Sequence, residues 1–473
     1  MDKKRNLDSI FNPKSVAIAG VSAGNRGQML LNNLLGYGFS GKVYPLNPKG
    51  GEISGLKIYA NIRDIPEPVD YAISCIPAPL VPQLIKDCAA KGAKVVSLYT
   101  AGFSESGSKE GRELEIELRH LAHAGGPRII GPNCLGVYCP KAGLSFASDF
   151  PKESGRVALI CQSGGNAAYL VRAAAQRGAR FSKVISYGNA CDIDESDLLD
   201  YFATDPETEI VAAYIEGVKD GRRFYRVLKK LATKKPVIVL KGGYTEAGAG
   251  TAASHTGSLA GSDKVWEGLL QQAGAVQVHS LDELVDVVVT FLYMPLPQGR
   301  RIGMFGFGGG VSVLATDECA AAGFSLPPLP EKIREEFRQF IISEAGTILN
   351  NPLDLSFASL DESSYNITKR LSTYEGIDLV IAHVPLSIIL PSALSPDIML
   401  DSLTNTAIKL HSEVSKPIAM VIHALVSCHD WDIALNAQQK CYEAGLPVYH
   451  SITSAAKAIE QFLRYHENRP DKD

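Results

Sequence analysis

Short apolar runs rich in β-branched residues alternate along this chain with stretches of helical period, and that alternation limits the fold more than any other feature. "SVAIAGV", "KVYPLN", "YAISCIP" and "AKVVSLYT" are too short and too uniformly apolar for amphipathic helices. They read as strands buried on both faces, as in a parallel sheet whose crossovers are helical. The fold class is therefore α/β, with layers of helix around parallel sheets. The pattern restarts twice. A first unit, 1–145, ends after "RIIGPNCLGVYCP" and a loop rich in Gly, Ser and Pro. A second, 146–294, opens with "GRVALICQSGG" and continues through "EIVAAYIEG" and "KPVIVLKGG". After the linker "MPLPQGRR", a third, 300–465, opens with "RIGMFGFGGG" and runs through "DLVIAHVPL" and "PIAMVIHAL". The second and third units both begin strand, glycine loop, helix, as related halves would.

Composition excludes several function classes. With 47 basic and 51 acidic residues well mixed, the net charge of −4 offers no basic face for nucleic acid or for an anionic membrane. No run approaches the ~18 apolar residues that span a bilayer. The nine cysteines form no CxxC pair and no zinc spacing, and several lie inside strand-like runs. They read as reduced, buried thiols of a cytoplasmic protein, and no metal site is expected.

Three strand–glycine–helix turns stand out, each able to offer backbone N–H groups and the positive end of a helix to a phosphate. The first, "AIAGVSAGNRG", departs from the dinucleotide fingerprint: Ser22 stands where GxGxxG needs its second glycine. The next strand ends in Asn47 and Lys49 rather than an acid. A lysine there suits a ligand with an extra phosphate on its ribose, such as coenzyme A or NADP. The second turn is "CQSGGNAA" and the third "FGFGGGVSV".

One histidine, His255, lies within "AGTAASHTGSLAGSD", a small-residue loop that packs no core. A neutral imidazole is a competent phosphoryl acceptor near neutral pH. It needs an orienting hydrogen bond, usually from a carboxylate. Glu216, at the carboxyl end of "IVAAYIEG", is the candidate.

"EAGAGTAASHTGSLAGSD" resembles the phosphohistidine loop of the NDP-forming acyl-CoA synthetases, relatives of succinyl-CoA synthetase that include the ADP-forming acetyl-CoA synthetases. "FNPKSVAIAGVS", "GKVYPLNPKG", "TAGFSE", "RIIGPNCLGV", "SYGNACDIDESDLLDYFATDPET" and "NNPLDLS" follow in the family's order. The resemblance implies an N-terminal Rossmann-like CoA-binding domain followed by two flavodoxin-like, succinyl-CoA synthetase-like domains. It implies that acyl-CoA and phosphate give an acyl phosphate and CoA, and that the phosphoryl group passes to His255 and then to ADP. Carried over by position, Glu216 orients His255. Gln162, Ser163, Gly164 and Gly165 begin one phosphate-facing helix, and Gly308, Gly309 and Gly310 the other. Asn189, on a loop that approaches the reacting centre, is implied as a further phosphate-binding residue. Gly20, Ser22, Gly27 and Lys49 hold CoA, with Pro77 and Thr100 lining its site and Asn133 near the thiol.

No ATP-grasp module is found in the sequence. The resemblance is to a separate α subunit, which implies an ATP-grasp β partner carrying ADP or ATP with Mg2+, and an α2β2-type oligomer. "GFGGG" departs from the family's usual loop at Phe307, and His423 and His429 are read as structural. A CoA-binding scaffold without phosphoryl transfer and an NADP oxidoreductase are the competing readings. The acyl group is not legible, with acetate the default.

Overall fold

The computed structural model describes residues 7–245, 247–248, 250, 262–340, 348–355, 362–386, 395–423 and 428–469. They form two compact units, Met1–Ala175 with Arg180–Leu284, and Gln176–Ala179 with Val285–Asp473. The first and second expected domains thus share one unit, and the helix Leu281–Tyr293 changes unit at Val285.

The first unit holds two large sheets and a small two-stranded one, Glu52–Ile53 with Leu56–Lys57. One large sheet has the strand order Lys42–Leu46, Ser15–Ala19, Tyr71–Ser74, Val95–Leu98, Arg128–Ile130, all parallel. The apolar runs form its strands because helices cover both faces; Ser15–Ala19 is buried at every position. The crossover helix Arg26–Tyr37 starts at Asn25, whose side chain accepts from the Gln28 N–H, and stops at Gly38 with φ +100°. The other sheet runs Val276–Val278, Val237–Lys241, Ile210–Ile215, Val157–Cys161, Phe181–Ser186, Gly136–Tyr138. Its last strand pairs antiparallel with Phe181–Ser186 and comes from the segment expected in the first domain. Sheet membership therefore changes before 136, not at 145.

In the second unit the order is Ile348–Leu349, Leu353–Asp354, Ile302–Gly306, Leu379–Pro385, Ile418–His423, Val448–Tyr449, parallel except for the first pair. Phe305, Ala382, Val384, Met420 and Ile422 form one side of its core.

In open parallel sheets, ligands bind beyond the carboxyl ends of the strands, where successive crossovers leave in opposite directions. The three large sheets place that crevice between Ser15–Ala19 and Tyr71–Ser74, between Val157–Cys161 and Ile210–Ile215, and between Ile302–Gly306 and Leu379–Pro385. All nine cysteines are free; seven are buried, Cys75 is half-buried and Cys428 is exposed, so the expectation of buried thiols fails at Cys428. Among the described residues no helix is long and apolar enough to cross a membrane.

Candidate functional site

The crevice of the second sheet gathers Gln162 and Glu216. Backbone pairing continues past the strand end, with the Gln162 N–H donating to the Tyr214 carbonyl at 3.0 Å. The buried Gln162 side chain then turns across the crevice, and its Oε1 accepts from the N–H groups of Glu216 (2.7 Å) and Gly217 (3.3 Å). Gln162 thus fixes the backbone that carries Glu216. The Tyr214 hydroxyl donates to Glu216 Oε1 at 3.3 Å, and burial, then the Glu216 charge, holds that phenol above its ordinary pKa. Helix Gly164–Gln176 starts beside this pair, and the Asn166 N–H donates to Ser163 Oγ at 3.3 Å. Gly164 has no room for a side chain, since a Cβ would stand 2.7 Å from Leu135 Cγ. Gly165 is exposed, and a Cβ there would meet nothing nearer than Ser163 Oγ at 4.0 Å, so this helix start can be approached from outside.

Strand Val237–Lys241 ends next to Glu216. Lys241 is buried over the Trp266 ring and donates to the Gly242 carbonyl; burial lowers its pKa against the charges of Glu216 and Asp263. A Cβ on Gly242 would stand 2.6 Å from the Tyr214 hydroxyl, which lets the outgoing chain pass close to the crevice. His255 itself lies outside the described residues. The segment that carries it leaves at Lys241 and returns at helix Asp263–Ala273.

At the first sheet's crevice the glycines serve close approach. Gly20 has φ +90°, and a Cβ there would stand 2.9 Å from the Cys75 carbonyl oxygen. On Gly27 a Cβ would meet the Gly20 carbonyl oxygen at 2.6 Å, so helix and turn pack backbone to backbone. The turn is held by its own polar side chains. The Ser22 N–H donates to Asn25 Oδ1 at 3.2 Å, the Gly24 N–H to Gln28 Oε1 at 2.6 Å, and Asn47 Nδ2 to the Val21 carbonyl at 2.9 Å. Ser22, Lys49 and Pro77 are exposed at the rim. Thr100 is buried; its hydroxyl donates to the Ile76 carbonyl at 2.8 Å and bonds Ser74 Oγ at 2.9 Å, a tie between strand ends. Asn133, half-buried with φ +56°, donates its N–H to the Thr100 carbonyl at 3.0 Å.

A seam joins the two large sheets of this unit. The N–H groups of Asn189 and Cys191 donate to the Pro132 and Gly131 carbonyls at 3.0 and 2.9 Å. The buried Asn189 side chain reaches Glu105 and Glu115, and Lys219 donates to the Asn189 and Ala190 carbonyls. Nearby, burial and then the Asp194 charge push the Glu195 carboxyl up to about 7.

In the second unit, Gly308 caps helix Gly309–Ala321 with φ +92°. The Gly308 N–H donates to Asp354 Oδ1 at 3.1 Å, and a Cβ on Gly309 would stand 3.3 Å from Asp354 Oδ2. A buried carboxylate of the protein therefore already occupies this helix start. His383 sits in that sheet's crevice, and burial, then His423, push its imidazole down to about 4. Among the described residues no three His, Cys, Asp or Glu side chains group as a metal-ligand set.

Comparison with known proteins decides the family. The CoA binding domain model matches residues 14–140, and the succinyl-CoA ligase like flavodoxin domain model matches 154–291. Acetate–CoA ligase [ADP-forming] II subunit alpha of Pyrococcus furiosus is 41% identical over 378 residues, covering 80% of this chain and 82% of that one. The same organism's acetate–CoA ligase [ADP-forming] I subunit alpha is 36% identical over 470 residues, covering 97% and 98%. This chain belongs to the ADP-forming acyl-CoA ligases. The solved dinucleotide forming acetyl-coenzyme A synthetase 1 of Candidatus Korarchaeum cryptofilum, in complex with phosphate and ADP, superposes with a TM-score of 0.81 at 32% identity, covering 98% of this chain and 97% of that one. Within this ligase family the chain aligns along the α-subunit portion, and the CoA-binding and flavodoxin-like domains stand in the expected order.

The crevice of this ligase chain also contains side chains that the sequence reading passed over. Tyr214 and Lys241 flank Glu216, while Asn25 and Gln28 join Asn47, already noted at its strand end, in holding the first glycine turn. A polar residue at the end of an apolar strand was the available signal, and for Lys241 and Asn47 it was visible.

Proposed function

We propose that this chain is the α subunit of an ADP-forming acyl-CoA ligase, interconverting acyl-CoA, ADP and phosphate with a carboxylic acid, CoA and ATP. The observation that carries this reading is the Gln162–Glu216 arrangement, a carboxylate fixed beside an approachable helix start and beside the strand that leads to His255. Phosphate sits at the start of helix Gly164–Gln176, where Ser163, Gly164 and Gly165 supply backbone N–H groups. A phosphate oxygen attacks the thioester carbonyl, the C–S bond breaks, and CoA leaves with the phosphate's proton. The Nε2 or Nδ1 lone pair of His255 then attacks phosphorus, breaking the bond to the carboxylate oxygen. Glu216 accepts a hydrogen bond from the other ring nitrogen and stabilises the charge that develops on the imidazole. ADP finally takes the phosphoryl group from His255.

CoA lies along the first crevice, with its phosphates toward Ser22, Gly27 and Lys49, the loops of Pro77 and Thr100 beside it, and the thiol end toward Asn133. ADP and Mg2+ belong to an ATP-grasp β subunit, in an α2β2-type cytoplasmic assembly. Acetate is the reference acyl group. Asp354 at the second glycine start argues against phosphate at Gly308, Gly309 and Gly310, because two anions would share one helix end.

Labelling with acetyl phosphate, or with acetyl-CoA and labelled phosphate, tests the reading. Acid-labile, alkali-stable label is expected on the wild-type chain and absent from His255→Ala. Binding of CoA without label from a panel of acyl donors, in the presence of the partner, would favour the scaffold reading.

A further inference from the structure

Asn189 is 5% exposed, and its carboxamide is polarised by what surrounds it. Its Nδ2 lies 2.5 Å from Glu105 Oε2, 2.9 Å from Glu115 Oε2 and 3.3 Å from Ser104 Oγ. Both carboxylates are pinned by the "TAGFSE" loop. Glu105 Oε1 accepts from the Gly102 and Phe103 N–H groups at 2.7 and 3.2 Å, and Glu115 Oε2 accepts from the Ser104 hydroxyl at 2.5 Å. Two fixed acceptors on one side leave the amide a single orientation, since turning it over would set Oδ1 against both carboxylates. The oxygen left facing away, Oδ1, has no hydrogen-bond partner among the described residues. A buried amide oxygen without a donor is costly, and a ligand that supplies one binds more tightly for it.

The ligand must bring a hydrogen-bond donor to this oxygen. An acyl phosphate dianion presents only acceptor oxygens and is repelled by an amide oxygen, and inorganic phosphate, though its P–OH can donate, brings a charge that Glu105 and Glu115 beside the amide disfavour. The thiol-bearing arm of coenzyme A presents amide N–H groups and an S–H. Position agrees with that chemistry. The neighbouring Gly188 lies so close to the CoA-binding half that a Cβ would stand 2.1 Å from the Pro132 carbonyl oxygen and 2.5 Å from that of Asn133. We propose that Asn189 Oδ1 accepts a hydrogen bond from an N–H or S–H of the CoA arm, and that Glu105 and Glu115 are positioning residues that fix its orientation. The proposal rests on the reading of the chain as a CoA-binding ligase subunit, and it replaces the phosphate contact that the resemblance implied for Asn189.

The test is calorimetric titration of the full-length chain with two probes: coenzyme A, and adenosine 3′,5′-bisphosphate, which lacks the arm. Asn189→Ala is expected to weaken CoA about tenfold, one net hydrogen bond, and to change the bisphosphate less than twofold. Glu105→Gln, which offers Asn189 a donor as well as an acceptor, is expected to lose part of the same CoA-to-bisphosphate ratio while melting close to wild type. Equal losses for the two probes, an unchanged CoA affinity in a folded variant, or a rise in KM confined to inorganic phosphate would overturn the assignment. If Asn189→Ala does not fold, Asn189→Ser and Glu105→Gln are judged by the same ratio. A wild-type chain that binds neither probe overturns the ligase reading as well, which separates the two failures.

Discussion

Two helix starts in this chain look alike in sequence, "QSGG" and "GFGGG", and differ in what the neighbouring strand sets against them. At Gly164 the neighbour is Glu216, whose backbone N–H is held by the Gln162 side chain and whose Oε1 accepts from the Tyr214 hydroxyl, and Gly165 is exposed. At Gly308 the neighbour is Asp354, whose carboxylate accepts directly from the Gly308 N–H. Glycine gives both loops the backbone freedom to expose N–H groups. Whether an outside anion can use them depends on the charge already present, which is a property of the adjacent strand.

The comparison breaks most clearly at Glu216. Glu216→Gln is expected to slow phosphohistidine formation by about 10²-fold or more, the scale of losing a carboxylate that orients an imidazole. Label transfer from acetyl phosphate in a rapid-quench experiment measures it, and an unchanged rate would remove Glu216 from the mechanism. Next in size are changes to the support of the open helix start. Gln162→Ala leaves the buried Glu216 and Gly217 N–H groups without their acceptor, and Gly164→Val drives a side chain into Leu135. Each is expected to destabilise the first unit by about 1–3 kcal/mol in denaturant melts.

One buried group in each unit is expected to pull stability in opposite directions with pH. Glu195 in the first has its pKa raised to about 7, from an ordinary value of 4.5. Between those values the folded state holds a proton that the unfolded state has lost, so stability falls as pH rises through the window. His383 in the second is lowered to about 4 from 6.5, so there the unfolded state holds the extra proton and stability rises with pH. Glu195→Gln is expected to stabilise the first unit above pH 7 by on the order of 1–3 kcal/mol, with the gain fading toward pH 4.5. Hydrogen exchange read unit by unit checks both slopes. The smallest effect is expected at the closed helix start. Asp354→Asn removes about 0.3–1 kcal/mol of charge–dipole stabilisation and leaves the KM for phosphate unchanged or lower. A raised KM would show that Asp354 supports phosphate binding after all.

The sequence made the strands legible because parallel strands buried on both faces are written as continuous apolar runs: "VALIC" and "IVAAYI" fall where Val157–Cys161 and Ile210–Ile215 stand. Glu216 was legible as a polar residue ending such a run. Partnership was not. Gln162 looked like part of a phosphate loop, yet its side chain is spent on the Glu216 and Gly217 backbone. Thr100 looked like a pocket wall, yet it ties Ser74 to Ile76. Asp354 stood inside the motif "NNPLDLS", but its role at the helix start did not show, because that role depends on lying beside a strand some fifty residues earlier. Such pairings are set by tertiary packing, which local periodicity does not encode.

The strand Gly136–Tyr138 leaves the CoA-binding half to complete the edge of its neighbour's sheet. This makes the two halves poor candidates for cassette exchange. A cut at 145 would strip the Phe181–Ser186 strand of its outer partner, exposing a row of unpaired amides to aggregation. A chimera that swaps acyl or CoA preference between relatives would need its crossover before 136, so that the borrowed edge travels with the sheet it finishes. On this view the CoA-binding and phosphoryl-transfer parts are inherited together, and recombination has few places to separate them.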